Sequence, residues 1–370
     1  MIETLDFYNY LLDNSIDFFA GVPDSLLANL CACIKTNSPK EKNIITANEG
    51  NAVAMAAGYH ISTGKIGCVY MQNSGEGNIV NPLLSLVDED VYSIPMLLII
   101  GWRGEPGKHD EPQHVKQGKV TLSLLDAMGT EYVVLSDNYK EELQAAIKYM
   151  KEENKPYALV IQKSLFSPYK IKIEESSYTL TREDALKEII KNLRDGDLIV
   201  STTGKTSREI FEIREENKQG HSNDFLTVGS MGHTSSIAYG IAIGTEKDVW
   251  CIDGDGSFIM HMGSIGVIGS NMPSNFKYII NDNNAHESVG GQPTCSKYLD
   301  IPAILKACGF KDVIIAETND EIKNGINKMR LDGGVAMVLH TKQGSRENLG
   351  RPTTTPKENK IALMKKIKDK

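Results

Sequence analysis

The chain lacks the features that mark several large classes of function. No apolar run approaches the roughly 18 residues that span a bilayer, and the opening residues MIETLDFYNY hold no basic stretch followed by an apolar one. The sequence therefore predicts a protein that is neither exported nor inserted. Cysteine is sparse: six residues, at 31, 33, 68, 251, 295 and 308, form no CxxC pair and no regular framework. That spacing excludes a zinc ribbon or a disulfide scaffold and fits a reducing cytoplasm. Positive charge is in deficit, with 40 Lys and Arg against 48 Asp and Glu and a net charge of -8. A nucleic-acid footprint is thereby excluded, and the lysines at 365, 366, 368 and 370 read as one solvated helix face. No repeat of about 20 to 50 residues occurs. Neither a GxxxxGK[ST] loop nor a GxGxxG that opens a helix after a first strand is present, which removes the P-loop and nicotinamide-dehydrogenase readings.

What remains is an ordinary globular composition, 41% hydrophobic and 24% charged over 370 residues, enough for two domains. Short apolar runs read as strands at 43–47, 66–71 and 95–100, with helical patterns starting at Glu49 and Asn78. Further strands are expected at 197–201, 249–252, 276–281 and 335–340. That order is βαβ, so the expectation is an α/β protein of two doubly wound parallel-sheet domains. Residues 164–184 are polar and aperiodic and lead into a helix capped by Thr181 with Asp184, placing the domain boundary near 175 (1–175 and 176–370).

In an open α/β sheet, ligands bind beyond the carboxyl ends of the strands. The stretch WCIDGDGSF at 250–258 runs a strand into Asp255, held between Gly254 and Gly256. The strand at 276–281 runs into DNNAH at 282–286. If these strands are parallel neighbours, Asp255 and Asn283 meet, offering one carboxylate, one amide oxygen and nearby carbonyls. Hard oxygens with a single protein charge suit Mg²⁺ shared with a phosphate. The glycines would let backbone amides approach the phosphate oxygens.

This GDG, with Asn283 28 positions beyond Asp255, resembles the signature of thiamine diphosphate enzymes, and ANEGNAVAMAAGYHISTG at 47–64 is similar to their pyrimidine-binding segment. Six segments (21–25, 71–78, 101–114, 202–209, 286–292 and 344–360) further resemble the phosphonopyruvate decarboxylase family of thiamine diphosphate-dependent 2-oxo acid decarboxylases. The resemblance covers the whole chain. It implies a pyrimidine-binding domain followed by a diphosphate-binding domain, with the central third domain of related enzymes absent.

The activity implied is thiamine diphosphate- and Mg²⁺-dependent conversion of 3-phosphonopyruvate to 2-phosphonoacetaldehyde and CO2, within phosphonate (2-aminoethylphosphonate) biosynthesis; sulfopyruvate is the alternative substrate. By the same resemblance Asp255, Asn283 and the Ala285 carbonyl hold Mg²⁺. Gly204, Lys205, Gly256 and Ser257 reach the diphosphate, with His233 nearby and Asn78 also among the cofactor contacts. Met231 wedges the cofactor into a bend, the Gly229 carbonyl accepts from its amino group, and Glu49 contacts its pyrimidine ring. Asp24 and Ser25 line the substrate side; Arg103, Arg346 and Arg351 are candidates for the phosphonate, the last two on a tail that could close as a lid. His109, Asp110, His114 and His286 are candidates for proton transfer. A homodimer or higher homo-oligomer, with each active site shared between subunits, is also implied. Without the family, Glu49 reads as a helix-start glutamate, Asp24 and Ser25 as a helix cap, Lys205 and the arginines as surface charges, and the histidines as structural.

Overall fold

The computed structural model describes residues 1–170 and 176–368, in two compact units, Met1–Ile173 and Glu174–Lys370. The boundary expected near residue 175 falls on 171–175, outside the described residues.

The first unit runs α1 (Thr4–Asp13), β1 (Phe19–Gly21), α2 (Ala28–Asn37), β2 (Asn43–Ile45), α3 (Glu49–Thr63), β3 (Gly67–Gln72), α4 (Glu76–Pro82), β4 (Met96–Gly101), α5 (Pro112–Ala127), β5 (Glu131–Val134), α6 (Tyr139–Glu153) and β6 (Pro156–Ile161). Its six strands are parallel, in the order β2-β1-β3-β4-β6-β5. The second unit runs α7 (Arg182–Asn192), β7 (Leu198–Ser201), α8 (Lys205–Glu216), β8 (Asp224–Leu226), α9 (Thr234–Ala242), β9 (Val249–Gly254), α10 (Asp255–Met260), α11 (Gly263–Ser270) and β10 (Phe276–Asp282). It continues with β11 (Ala285–His286), β12 (Gln292–Pro293), α12 (Ile301–Ala307), β13 (Asp312–Ala316), α13 (Asn319–Leu331), β14 (Val335–His340) and α14 (Pro356–Lys368). Here the parallel order is β13-β14-β10-β9-β7-β8, with β11 and β12 as a separate antiparallel pair.

Counted within its own unit, each sheet has the same arrangement: second, first, third, fourth, sixth, fifth. The duplication is one of topology, which many apolar sequences can satisfy, so no sequence repeat accompanies it. Its consequence is functional. In each unit the winding reverses between the first and third strands, which opens a crevice at their carboxyl ends.

Both faces of each sheet are covered, which is why the strands read as continuous apolar runs. Along β4, Leu97 and Ile99 pack with Phe7, Leu30 and Leu143 of α1, α2 and α6, while Leu98 and Ile100 pack with Val53, Ile79 and Leu125 of α3, α4 and α5. Along β10, Ile279 faces Leu186, Ile210 and Ile322, and Ile280 faces Ala238, Ile265 and Leu305. Each such aliphatic side chain contributes about 1.5–3 kcal/mol on burial.

Every strand expected from the sequence forms. β1, β5, β6, β8, β11, β12 and β13 lie outside those apolar runs, for separable reasons. β1 has three residues, too few for a period, and β13 is a half-exposed edge strand. β6 begins at Pro156, which counts against a strand in sequence but is tolerated at a strand's first residue. Helix starts follow local chemistry. The Asn48 side chain accepts from Asn51 N at 3.0 Å, fixing Glu49 as the first residue of α3. Thr181 accepts from Asp184 N at 3.0 Å. α4 starts at Glu76, two residues before the expected Asn78. Lys365 and Lys368 are exposed on α14; Lys370 lies outside the described residues. The six cysteines are free thiols, and no helix among the described residues is long and apolar enough to cross a membrane.

Candidate active site

At the carboxyl edge of the second sheet, Gly254 of β9 pairs with Asn281 of β10, so the two chains leave the sheet side by side and deliver Asp255 and Asn283 together. Both are buried. Asp255 Oδ2 accepts from Thr294 Oγ1 at 2.6 Å and lies 3.1 Å from Ser296 Oγ, which is also 2.7 Å from Asp282 Oδ1. A hydroxyl has one proton, so Ser296 can satisfy only one of these carboxylates at a time. Burial, and then Asp282, push the Asp255 carboxyl up to about 7, against the hydrogen bonds from Thr294, the Gly256 amide and Ser296. Asn283 Oδ1 accepts from Ala285 N at 3.1 Å.

A hard divalent ion fits this donor chemistry: a buried, uncompensated acid beside an amide oxygen and the Ala285 backbone. No group of three or more His, Cys, Asp or Glu capable of holding a metal exists among the described residues. A cation bound here therefore needs phosphate oxygens and water to complete its shell. Asp282, Thr294 and Ser296 did not stand out in the sequence as site residues. Asp282 could have been suspected from its place beside Asn283. The two hydroxyl residues return only through the β11–β12 hairpin, which pairs Ala285 with Pro293.

Gly256 is the point of convergence. A β-carbon there would lie 2.6 Å from His286 Cε1 and 3.1 Å from Met231 Cε, so only glycine admits the imidazole and the thioether to the start of α10. The Met231 loop turns through Ser230 (φ 59°) and Gly232 (φ 86°), and Gly232 N donates to Ser257 Oγ at 3.1 Å, tying it to α10. Ser257 Oγ thus accepts from the loop, while its side chain also hydrogen-bonds Asp253. Burial pushes the His286 imidazole down to about 4, leaving it neutral at neutral pH. Gly229 is half-buried in the same loop. His233 is exposed at the start of α9, its ring 4.4 Å from that of His261. Gly204 (φ 85°) caps α8 after β7, the neighbour of β9, and half-buried Lys205 follows it.

In the first unit Glu49 is 4% exposed at the start of α3, and burial pushes its carboxyl up. Its Oε2 accepts from Asn78 Nδ2 at 2.6 Å. Asn78, expected to touch the cofactor, here acts on Glu49. A β-carbon on Gly75 would sit 2.5 Å from the Glu49 carboxyl carbon, so the carboxyl can occupy this position only against glycine. Gly75 carried no signal beyond its place in the 71–78 segment.

Glu76 is a second buried acid the sequence did not single out. It is 1% exposed, its Oε1 has no hydrogen-bond partner, and burial pushes it up to about 8. Between its ordinary value and about 8 the folded state holds a proton that the unfolded state has released, so stability falls as pH rises across that window. Glu76→Gln should match the wild type near pH 4.5 and exceed it by a few kcal/mol above pH 8. Urea titrations at both pH values check this; parallel pH profiles would refute it.

Asp24 follows β1 and is fully buried. Its Oδ1 accepts from Gln72 Nε2 at 2.6 Å across the β1–β3 crevice, and its Oδ2 accepts from Leu26 N at 2.9 Å. It is not the cap of α2, which is Leu27. Burial pushes Asp24 up as well. Ser25 Oγ accepts from Arg103 Nη1 at 2.8 Å. The other edge of the Arg103 guanidinium grips Asp110, with Nε at 2.8 Å from Oδ2 and Nη2 on Oδ1. Burial would raise Asp110, but Arg103 and the Gly104 amide outweigh it and hold the carboxyl at about 2. His114 is buried with Nδ1 unpartnered and is lowered first by burial and then by Arg103. His109 is exposed.

The two arginines of the tail differ in their surroundings. Arg346 is committed to Glu183 (3.0 Å) and Glu212, so a substrate anion would have to displace two carboxylates. Arg208 donates to the carbonyls of Leu349 and Gly350, fastening the same tail to α8 in place of a loose lid. Arg351 is exposed.

Two family models match the chain: "Thiamine pyrophosphate enzyme, N-terminal TPP binding domain" over residues 6–129 and "Thiamine pyrophosphate enzyme, C-terminal TPP binding domain" over 202–340. Thiamine pyrophosphate is another name for thiamine diphosphate. The chain is 32% identical to a phosphonopyruvate decarboxylase of Streptomyces viridochromogenes, across 97% of this chain and 93% of the relative. It is 28% identical to a sulfopyruvate decarboxylase of Methanosarcina acetivorans, across 85% and 84%. It is 33% identical to the sulfopyruvate decarboxylase subunit beta of Methanococcus maripaludis, across 51% of this chain and 98% of that subunit.

Proposed function

The chain belongs to the thiamine diphosphate-dependent 2-oxo acid decarboxylases, and from that premise we propose that it converts 3-phosphonopyruvate to 2-phosphonoacetaldehyde and CO2. That it is a decarboxylase using thiamine diphosphate with Mg²⁺ follows from the family. The choice of substrate rests on one observation above the others: nearly end-to-end similarity to a phosphonopyruvate decarboxylase, against a lower identity over less of the chain to the whole-length sulfopyruvate enzyme.

In this proposal Asp255, Asn283 and the Ala285 carbonyl hold Mg²⁺, and Gly204, Lys205 and Gly256 face the diphosphate. When bound, thiamine diphosphate supplies the electron sink that decarboxylation of a 2-oxo acid requires. Met231, held between two left-handed residues and against Gly256, sets the shape of the space beside that sink. Asn78 occupies Glu49 Oε2, so the proton that burial favours sits on Oε1, ready to be donated to a ring nitrogen.

Asp24, raised by burial and oriented by Gln72, offers a carboxyl at the substrate side whose neutral form burial favours. Arg103 shares its charge with Asp110 and offers the phosphonate the Nη hydrogens that Asp110 and Ser25 leave over. Burial holds the imidazoles of His114 and His286 neutral, so each can donate through one ring nitrogen and accept through the other without adding charge to the site. The enzyme works as a homo-oligomer in which Glu49 of one copy and Asp255 of another serve the same cofactor.

A side-by-side assay of phosphonopyruvate, sulfopyruvate and pyruvate with thiamine diphosphate and Mg²⁺ tests the substrate. Phosphonopyruvate should have the highest kcat/KM, and Arg103→Met should reduce it mainly through KM. Equal turnover of all three would remove the assignment.

A further inference from the structure

Glu287 lies two residues beyond Ala285 and one beyond His286, yet no part of the chemistry above uses it. Its Oε2 accepts from Arg182 Nη1, and its Oε1 accepts from the backbone amide of Gly344, just past β14. Arg182 is the first residue of α7 and is 4% exposed. Its remaining fork is taken by Glu209 of α8, with Nε 2.7 Å from Oε2 and Nη2 2.8 Å from Oε1. One guanidinium therefore joins α7, α8 and the segment that follows β10.

The triad does more than add stability, on two grounds. First, burying charge costs several kcal/mol per ion, and a buried ion pair is often no more stabilising than well-packed apolar side chains. Two acids on one arginine also leave a net negative charge. Such groups are better explained when they set geometry. Second, the segment they hold cannot set its own. Residues 287–289 form a single 3-10 turn, followed by Gly290 (φ 94°) and Gly291 (φ 71°), two left-handed glycines with wide conformational freedom. The Gly291 amide returns only to the His286 carbonyl, at 3.1 Å, which closes the turn on itself without attaching it to the sheet. The β11–β12 pairing ties Ala285 and His286 back to Thr294 and Ser296, and the side chain of Glu287 is what joins the turn to α7 and to the segment after β14.

We propose that Arg182 and Glu287 are positioning residues for the cofactor: their ion pair fixes the 285–287 backbone, and so aims the Ala285 carbonyl and sets the His286 ring against Gly256. This rests on the reading that Asp255, Asn283 and the Ala285 carbonyl hold Mg²⁺. Groups that orient metal ligands without touching the metal commonly affect affinity by about 10- to 100-fold, and Glu287 stands in that relation to Ala285. Glu209 does not. It shares the same arginine but has no bond to the 285–291 segment, so it serves as the internal control.

The test measures the Kd of thiamine diphosphate, with and without Mg²⁺, by tryptophan fluorescence or calorimetry, alongside the Tm of each apoprotein. Glu287→Gln keeps size and removes the charge; Arg182→Lys keeps the charge and loses the fork. Both should raise the Mg²⁺-dependent Kd by about 10- to 100-fold. Glu209→Gln should lower Tm and leave that Kd close to the wild type. Wild-type affinity in Glu287→Gln and Arg182→Lys, or an equal loss in Glu209→Gln, would overturn the positioning role alone. A wild-type protein whose thiamine diphosphate binding ignores Mg²⁺ would overturn the metal reading and this proposal with it.

Discussion

Glu49→Gln is expected to lower kcat by about 10²- to 10⁴-fold, the range for loss of a proton-transfer group. The expectation depends on a carboxyl that burial shifts toward its protonated form and that Asn78 orients through Oε2. Gln keeps the volume and can still accept from Asn78, so folding should survive. What disappears is the ability to hold and release a proton at Oε1. Cofactor affinity should change little, because the acid contributes proton transfer more than attachment. Steady-state rates at saturating thiamine diphosphate and Mg²⁺, with a separate Kd for the cofactor, decide the matter. A variant that works at full speed removes Glu49 from the chemistry.

Asp255→Asn should act in two opposite directions. In the apoprotein the Asp255 carboxyl stands at about 7, raised by burial and by Asp282. A folded value raised above the unfolded one means that stability is present at low pH and is lost as pH rises through about 7. The amide carries no charge to bury, so the apoprotein of the variant should melt higher than the wild type at pH 8. In the loaded protein the sign reverses. The wild type gains RT ln(1 + [L]/Kd), about 2.7 kcal/mol at a hundredfold excess over Kd, whereas the variant, lacking the one acid proposed to hold the metal, should show almost no thermal shift with thiamine diphosphate and Mg²⁺. Differential scanning at pH 6 and pH 8, each with and without cofactor, gives four melting points whose order tests both signs. If the loaded variant is stabilised as much as the wild type, Asp255 is not the metal's anchor. Mixing Asp255→Asn with Glu49→Gln chains should restore part of the activity if each site draws on two copies, and none if it does not.

The part of the site legible in sequence is the part made of consecutive residues. Asp255 between two glycines after an apolar run, and Asn283 after the next, could be placed at one sheet edge because parallel neighbours deliver their carboxyl ends together. The network around them was not legible. Thr294 and Ser296 reach Asp255 through a hairpin made by two-residue strands, too short to show a period. Gly75 matters because of a carboxyl 26 positions away at Glu49, and no local pattern announces such a contact. Arg346 looked available for an anion. Only the tertiary fold shows Glu183 and Glu212 already holding it.

The sequence by itself determined the class of architecture, the existence of most strands and the short motifs at their ends. Those depend on hydrophobic periodicity and on backbone conformations that neighbouring residues impose. The tertiary structure alone decided which acids are desolvated, which cations are already spent, and which hydroxyls, amides and guanidinium groups orient them. Those are questions of burial and of partners distant in sequence, and it is burial that raises the carboxyls of Glu49, Glu76 and Asp255 above their ordinary values, the last two to about 8 and about 7.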